Sequence, residues 1–148
     1  MPPIALLDTT VFLDLVGERQ HERHMAELIV SLGVSGDVQA VVTLQSIQEL
    51  LHVRTRKGTP QEKVIEYARW IGRTFDVLPH HSGDVDVMLE LLTEHPTLGA
   101  ADAMIYAAGL RAEVSHVITR DRSFGLAVGD RWIDPSSPAK VERLITGD

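Results

Sequence analysis

Four short apolar runs punctuate the chain: IALL (4–7), AVVT (40–43), FDVL (75–78) and HVIT (116–119). Each is bounded by polar or turn residues and is rich in branched aliphatics, which suits short buried strands. Between them, apolar residues recur three and four positions apart. In 21–33, Met25, Leu28, Ile29 and Leu32 form one face, and Gly33 is the expected stop. In 44–58, Leu44, Ile47, Leu50 and Leu51 do the same, with basic residues at the C-terminal end as the helix dipole prefers. In 59–75, Thr59 is the expected N-cap, Pro60 the first helical position and Glu62 the third residue after the cap. Segments 82–95 and 98–113 read as two further helices. A final helix, about 138–146, is capped by Ser137 and opened by Pro138.

Strands alternating with helices predict an α/β layer fold with a mainly parallel central sheet flanked by helices. Its crossovers are expected to be right-handed. At 148 residues without repeats or long linkers, the whole chain, 1–148, reads as one domain. In such sheets ligands bind outside the carboxyl ends of the strands. Asp8 follows the first apolar run and Asp121 closely follows the last.

Composition narrows the chemistry. With no cysteine, disulfides, thiolate nucleophiles, zinc–thiolate sites and iron–sulfur clusters are excluded. No run approaches the roughly 18 apolar residues of a membrane span, and the first residues lack a basic leader, so a cytoplasmic location and no membrane partner are expected. The net charge of −7 argues on its face against phosphate binding. A carboxylate cluster that holds cations is an exception, because the bound ion reverses the local charge.

Four carboxylates stand where such a cluster would form: Asp8, Glu49 in the helix after the second strand, Asp102 in the first turn of its helix, and Asp121. Singly, each has an ordinary alternative. Asp8 suits a helix N-cap, Asp121 caps a short RSFG turn, Asp102 complements a helix dipole, and Glu49 suits a solvated face. Yet Glu49 has apolar neighbours on both sides, and Asp102 sits in GAADAMIYAAG, an almost wholly apolar helix without lysine. A buried charge there needs a partner. Two carboxylates about 5 Å apart repel by roughly 3 kcal/mol at an effective dielectric near 20. Hard divalent cations relieve that repulsion, and all-oxygen ligation favours Mg²⁺ or Mn²⁺.

The motifs LLDTTVFLD, QSIQELLHV, GAADAMIYAAGLR and VITRDRSF, in this order over residues 4–133, resemble the PIN-domain family and within it the VapC-like toxins. The resemblance implies a single PIN-like domain and a metal-dependent endoribonuclease that cuts RNA phosphodiester bonds by in-line attack of water, leaving 5′-phosphate and 3′-hydroxyl ends. It implies Asp8, Glu49, Asp102 and Asp121 as the acidic, metal-holding site. Asp8 and Asp102 are the expected direct ligands. Glu49 is expected to bind through water or to orient the attacking water, and Asp121 to complete the site or a second metal position. Thr10 and Thr119 match supporting polar positions, and Ser123 stands where many relatives carry a further acid. A small antitoxin partner that covers the site and a homodimer are implied too.

Arg54, Arg56, Lys57, Arg120 and Arg122 are candidates to grip RNA phosphates; helix capping or plain solvation explains them equally well. Trp70 and Phe75 read as core, Asp14 as exposed and the histidines of HH (80–81) as surface residues, while HERH (21–24) lacks the metalloprotease spacing. His52, three residues after Glu49, resembles half of a di-iron motif that has no second copy. Two rival readings remain. A non-catalytic PIN-like module would bind RNA or protein without cutting. A haloacid-dehalogenase-type phosphatase would need a second acid two residues after Asp8, where Thr10 stands, and a supporting lysine that is not evident.

Overall fold

The computed structural model describes residues 1–147. Its strands are β1 (Ile4–Leu7), β2 (Gln39–Thr43), β3 (Asp76–Leu78), β4 (His116–Ile118) and β5 (Trp132–Ile133). Its helices are α1 (Thr9–Leu15), α2 (Gln20–Ser35), α3 (Leu44–Arg56), α4 (Gln61–Thr74), α5 (Asp84–Glu94), α6 (Ala100–Arg111), α7 (Arg122–Val128) and α8 (Pro138–Thr146). The strands form one sheet in the order β3-β2-β1-β4-β5, and every pairing is parallel. The expected α/β architecture is therefore what forms. The sheet is covered on both faces, so β1 needs apolar residues at every position rather than at alternate ones.

Alternation along β1 divides the core. Ala5 and Leu7 pack on one face with Phe12, Ile29, Leu50, Ile71 and Leu144, drawn from α1–α4 and α8. Leu6 packs on the other with Leu91, Ile105 and Phe124, drawn from α5–α7. Successive side chains on a strand point to opposite faces, so one four-residue run anchors both layers. Strand order reverses at β1: the chain moves to β2 and β3 on one side, then to β4 and β5 on the other. A crevice opens at the carboxyl ends of the paired strands β1 and β4, where the connections that follow them leave to opposite faces of the sheet.

Several local expectations shift. Gly33 does not stop α2. It lies inside the helix, where a Cβ would stand 2.9 Å from Ala40 and 3.1 Å from Phe75. The stop is Gly36, in the left-handed conformation at φ 86°. Thr59 does not cap α4, whose N-cap is Pro60. Ser137 occupies the N-cap position of α8 without a side-chain capping bond. Leu44 is 58% exposed at the start of α3, off its apolar face. Trp70 is 40% exposed, stacked on Tyr67, whereas Phe75 is core as expected. The turn expected at RSFG is the helix α7, and β5 was not foreseen because two residues carry no periodicity.

Candidate metal centre

The site grows from the junction of β1 and α1. Leu7 ends the strand, and the Asp8 amide N–H still bonds to the Ile118 carbonyl of β4 (3.0 Å). That last sheet-edge bond holds Asp8 over the crevice, 2% exposed. Asp8 occupies the N-cap position of α1, but its side chain makes no capping bond. Instead, Oδ2 accepts from the Thr119 hydroxyl (2.8 Å) and the Thr10 hydroxyl (3.2 Å). Oδ1 is buried with no hydrogen-bond partner. Burial, aided by the charge of Glu49 and opposed by the threonine hydroxyls, pushes the Asp8 carboxyl up to about 6.

Glu49 arrives on α3. That helix is capped at its start by Thr43, whose hydroxyl accepts from the Ser46 N–H (3.2 Å). The His80 Nε2 accepts from the Gln45 N–H (3.1 Å) beside it. His80 is thus half-buried against α3 rather than a surface histidine, and burial lowers its affinity for a proton. Glu49 Oε2 accepts from the Thr9 hydroxyl (2.8 Å). Thr9 is the supporting residue that the sequence reading missed; its only signal was its place directly after Asp8.

Asp102 enters from the first turn of α6, half-buried. Burial first, then the charges of Asp8, Asp121 and Glu49, push its carboxyl up to about 8. Ligand oxygens of Asp8, Glu49 and Asp102 lie within 4.8 Å of one another. The fourth acid, Asp121, is exposed and caps α7 through Oδ1, which accepts from the Phe124 N–H (3.2 Å). It stands outside that trio yet lines the same cleft, and its charge helps raise the Asp102 carboxyl. The cleft encloses about 370 Å³, and its wall includes Gln48 and His52, neither assigned from sequence. Ser123 is half-buried on α7 and does not line it.

The basic candidates separate. Arg54, Lys57 and Arg120 line one adjoining cleft, together with Arg19, Asp14, Glu18 and Glu22. Arg56 and Arg122 are exposed. Arg120 differs: its guanidinium grips Asp14 with two bonds, Nε to Oδ2 (2.8 Å) and a terminal nitrogen to Oδ1 (2.7 Å). Asp14 is accordingly buried at 8% exposure, not exposed as its sequence position suggested.

Three unneutralised carboxylates, one with a buried orphan oxygen, are costly unless protonated or bound to a cation. The donor set is all oxygen, which suits a hard divalent ion. The family model for the PIN domain matches residues 5–127. Ribonuclease VapC13 of Mycobacterium tuberculosis is 24% identical over 119 residues, covering 80% of this chain and 91% of that protein. The solved structure of Mycobacterium tuberculosis VapC20, a sarcin–ricin loop cleaving toxin, superposes with a TM-score of 0.69 at 16% identity, covering 84% of this chain and 95% of that one. That of FitAcB from Neisseria gonorrhoeae gives 0.68 at 21%, covering 88% and 97%.

Proposed function

The chain belongs to the PIN domain family, and from that premise we propose that it is a metal-dependent endoribonuclease, the toxin of a VapBC-type toxin–antitoxin pair. The observation that carries this reading is the buried, unpartnered Asp8 Oδ1 among three carboxylates within 4.8 Å. Asp8, Asp102 and Glu49 would hold Mg²⁺ or Mn²⁺. Such an ion supplies Lewis-acid stabilisation of phosphoryl charge and makes water a usable nucleophile near neutral pH.

The chain's own residues do the rest. Thr119 and Thr10 occupy Asp8 Oδ2 and leave Oδ1 free as a donor. Thr9 holds one oxygen of Glu49, on the wall of the same cleft. Asp102 would give up the proton that burial, and then the neighbouring charges, make it keep, since proton and cation compete for one carboxylate. Asp121, exposed on the cleft wall, is an acceptor for an incoming water or a substrate hydroxyl. Of the basic candidates, Arg54, Arg56, Lys57 and Arg122 would meet RNA phosphates. The relatives' names support RNA as substrate, and toxin–antitoxin complexes among the structural neighbours support an antitoxin protein as partner.

The test is cleavage of a labelled single-stranded RNA after EDTA treatment, with Mg²⁺ or Mn²⁺ restored. Wild type should cut only with the cation, and Asp8→Ala and Asp102→Ala should fall to background. RNA left intact by wild type in both cations would reduce the chain to an RNA- or protein-binding module.

A further inference from the structure

We propose that Arg120 and Asp14 form a clamp that positions two of the site's acids, and that Arg120 is a positioning residue rather than an RNA-gripping one. The inference rests on the metal-site reading above. Arg120 stands between Thr119, which bonds Asp8, and Asp121. Its side chain forks onto Asp14 in the last turn of α1 at 2.8 and 2.7 Å. Its backbone N–H donates to the Thr10 hydroxyl (3.1 Å), which in turn donates to Asp8 Oδ2. One residue on, the Asp121 N–H donates to the Thr119 hydroxyl (3.0 Å), which also donates to Asp8.

The segment 119–121 is thereby tied to α1 at both ends of the helix: by the two threonine hydroxyls at its start and by the ion pair at its close. A planar guanidinium matches a carboxylate with two parallel bonds, so it fixes orientation as well as distance. A lysine supplies the charge without the fork. Arg19, Arg54 and Lys57 line the same cleft, but the carboxylates around the Arg120 guanidinium disfavour a phosphate there. Glu22 and Asp134 add negative charge near the same guanidinium, and Asp14 already occupies its bonding edge. Within the segment, the backbone between Thr119 and Asp121 has little freedom while the clamp is closed. Asp8 then keeps Oδ1 directed at the cleft, and Asp121 keeps its place on the cleft wall.

The experiment compares wild type, Arg120→Gln, Arg120→Lys and the swap Asp14→Arg with Arg120→Asp. Hydrogen exchange at residues 119–121 is read without metal, Mn²⁺ affinity by calorimetry, and kcat and KM on one RNA. A clamp predicts faster exchange in Arg120→Gln and in Arg120→Lys. It predicts Mn²⁺ binding weakened about tenfold, as for residues that orient ligands. It predicts a lower kcat with KM nearly unchanged, and recovery in the swap. Exchange and Mn²⁺ affinity like wild type in Arg120→Gln, or a raised KM with kcat unchanged, overturn it. Because exchange is measured without the ion, a wild type that takes up no Mn²⁺ sinks the nuclease reading, while the exchange data still decide the clamp.

Discussion

At the scale of single residues, the acids differ by what surrounds them, not by their chemistry. Asp8 and Asp102 both bind protons more tightly than a free aspartate, with carboxyls near 6 and near 8 against an ordinary 3.8. The sign follows: without a cation, the fold is favoured while these groups are protonated, and that stability is lost as pH rises through about 6 and then about 8. Added Mn²⁺ or Mg²⁺ should therefore raise the melting temperature, and by more at pH 8.5 than at pH 5.5. Asp102→Asn should remove most of that metal response. It should also stabilise the metal-free protein by on the order of 1 kcal/mol, a few degrees in Tm, by relieving repulsion. Thermal melts after chelation, with and without Mn²⁺ at both pH values, read all three effects. An Asn variant with the full metal response would break the link between Asp102 and the ion. Four acid positions were visible in the sequence as candidates. Their supports were only half visible, since Thr9 and Asp14 act through partners 40 and 106 residues away.

At the scale of elements, polar contacts aim the helices that carry the acids. Thr43 and His80 fix the start of α3, and a fork between Arg111 and Asp84 fixes α6 against α5. Asp84 also accepts from the His81 N–H (3.0 Å), and Arg111 reaches the Pro79 carbonyl (2.7 Å). The bond from Arg111 holds the Asp84 carboxyl down at about 2, below its ordinary 3.8. A lowered carboxyl contributes stability above pH 3.8, and that contribution disappears as pH falls through about 2. Arg111→Met should thus lower the urea midpoint at pH 5, with the gap to wild type closing by pH 2. A gap that stays constant across that range would assign Arg111 a packing role instead. The pair was illegible in sequence because Asp84 reads as an ordinary acid in the first turn of α5.

At the scale of the molecule, two apolar cores hold the sheet from both sides, and the acids gather outside them, at the carboxyl edge. The fold therefore does not depend on the ion. Chelation should abolish RNA cleavage while leaving the far-ultraviolet circular dichroism and a cooperative melt in place, unlike small domains that unfold without their metal. Loss of helical signal on adding EDTA at 25 °C would show that the ion is structural. Among the described residues, no helix is long and apolar enough to cross a membrane.

The sequence by itself determined the elements: four of the five strands, the helices between them, and the α/β class. Those depend on the period of side-chain polarity, which is local. It also supplied the acids and their order along the chain. Only the tertiary structure decided which acids meet. Strand order reverses at β1, so Asp8 meets Thr119 just past β4, Glu49 from α3 and Asp102 from α6, while Asp121 stays on the rim. It also decided that the Asp8 side chain makes no capping bond at the start of α1, that Arg120 is already held by Asp14, and that β5 exists. Each of these turns on desolvation or on a partner remote in sequence, and neither leaves a trace in local pattern.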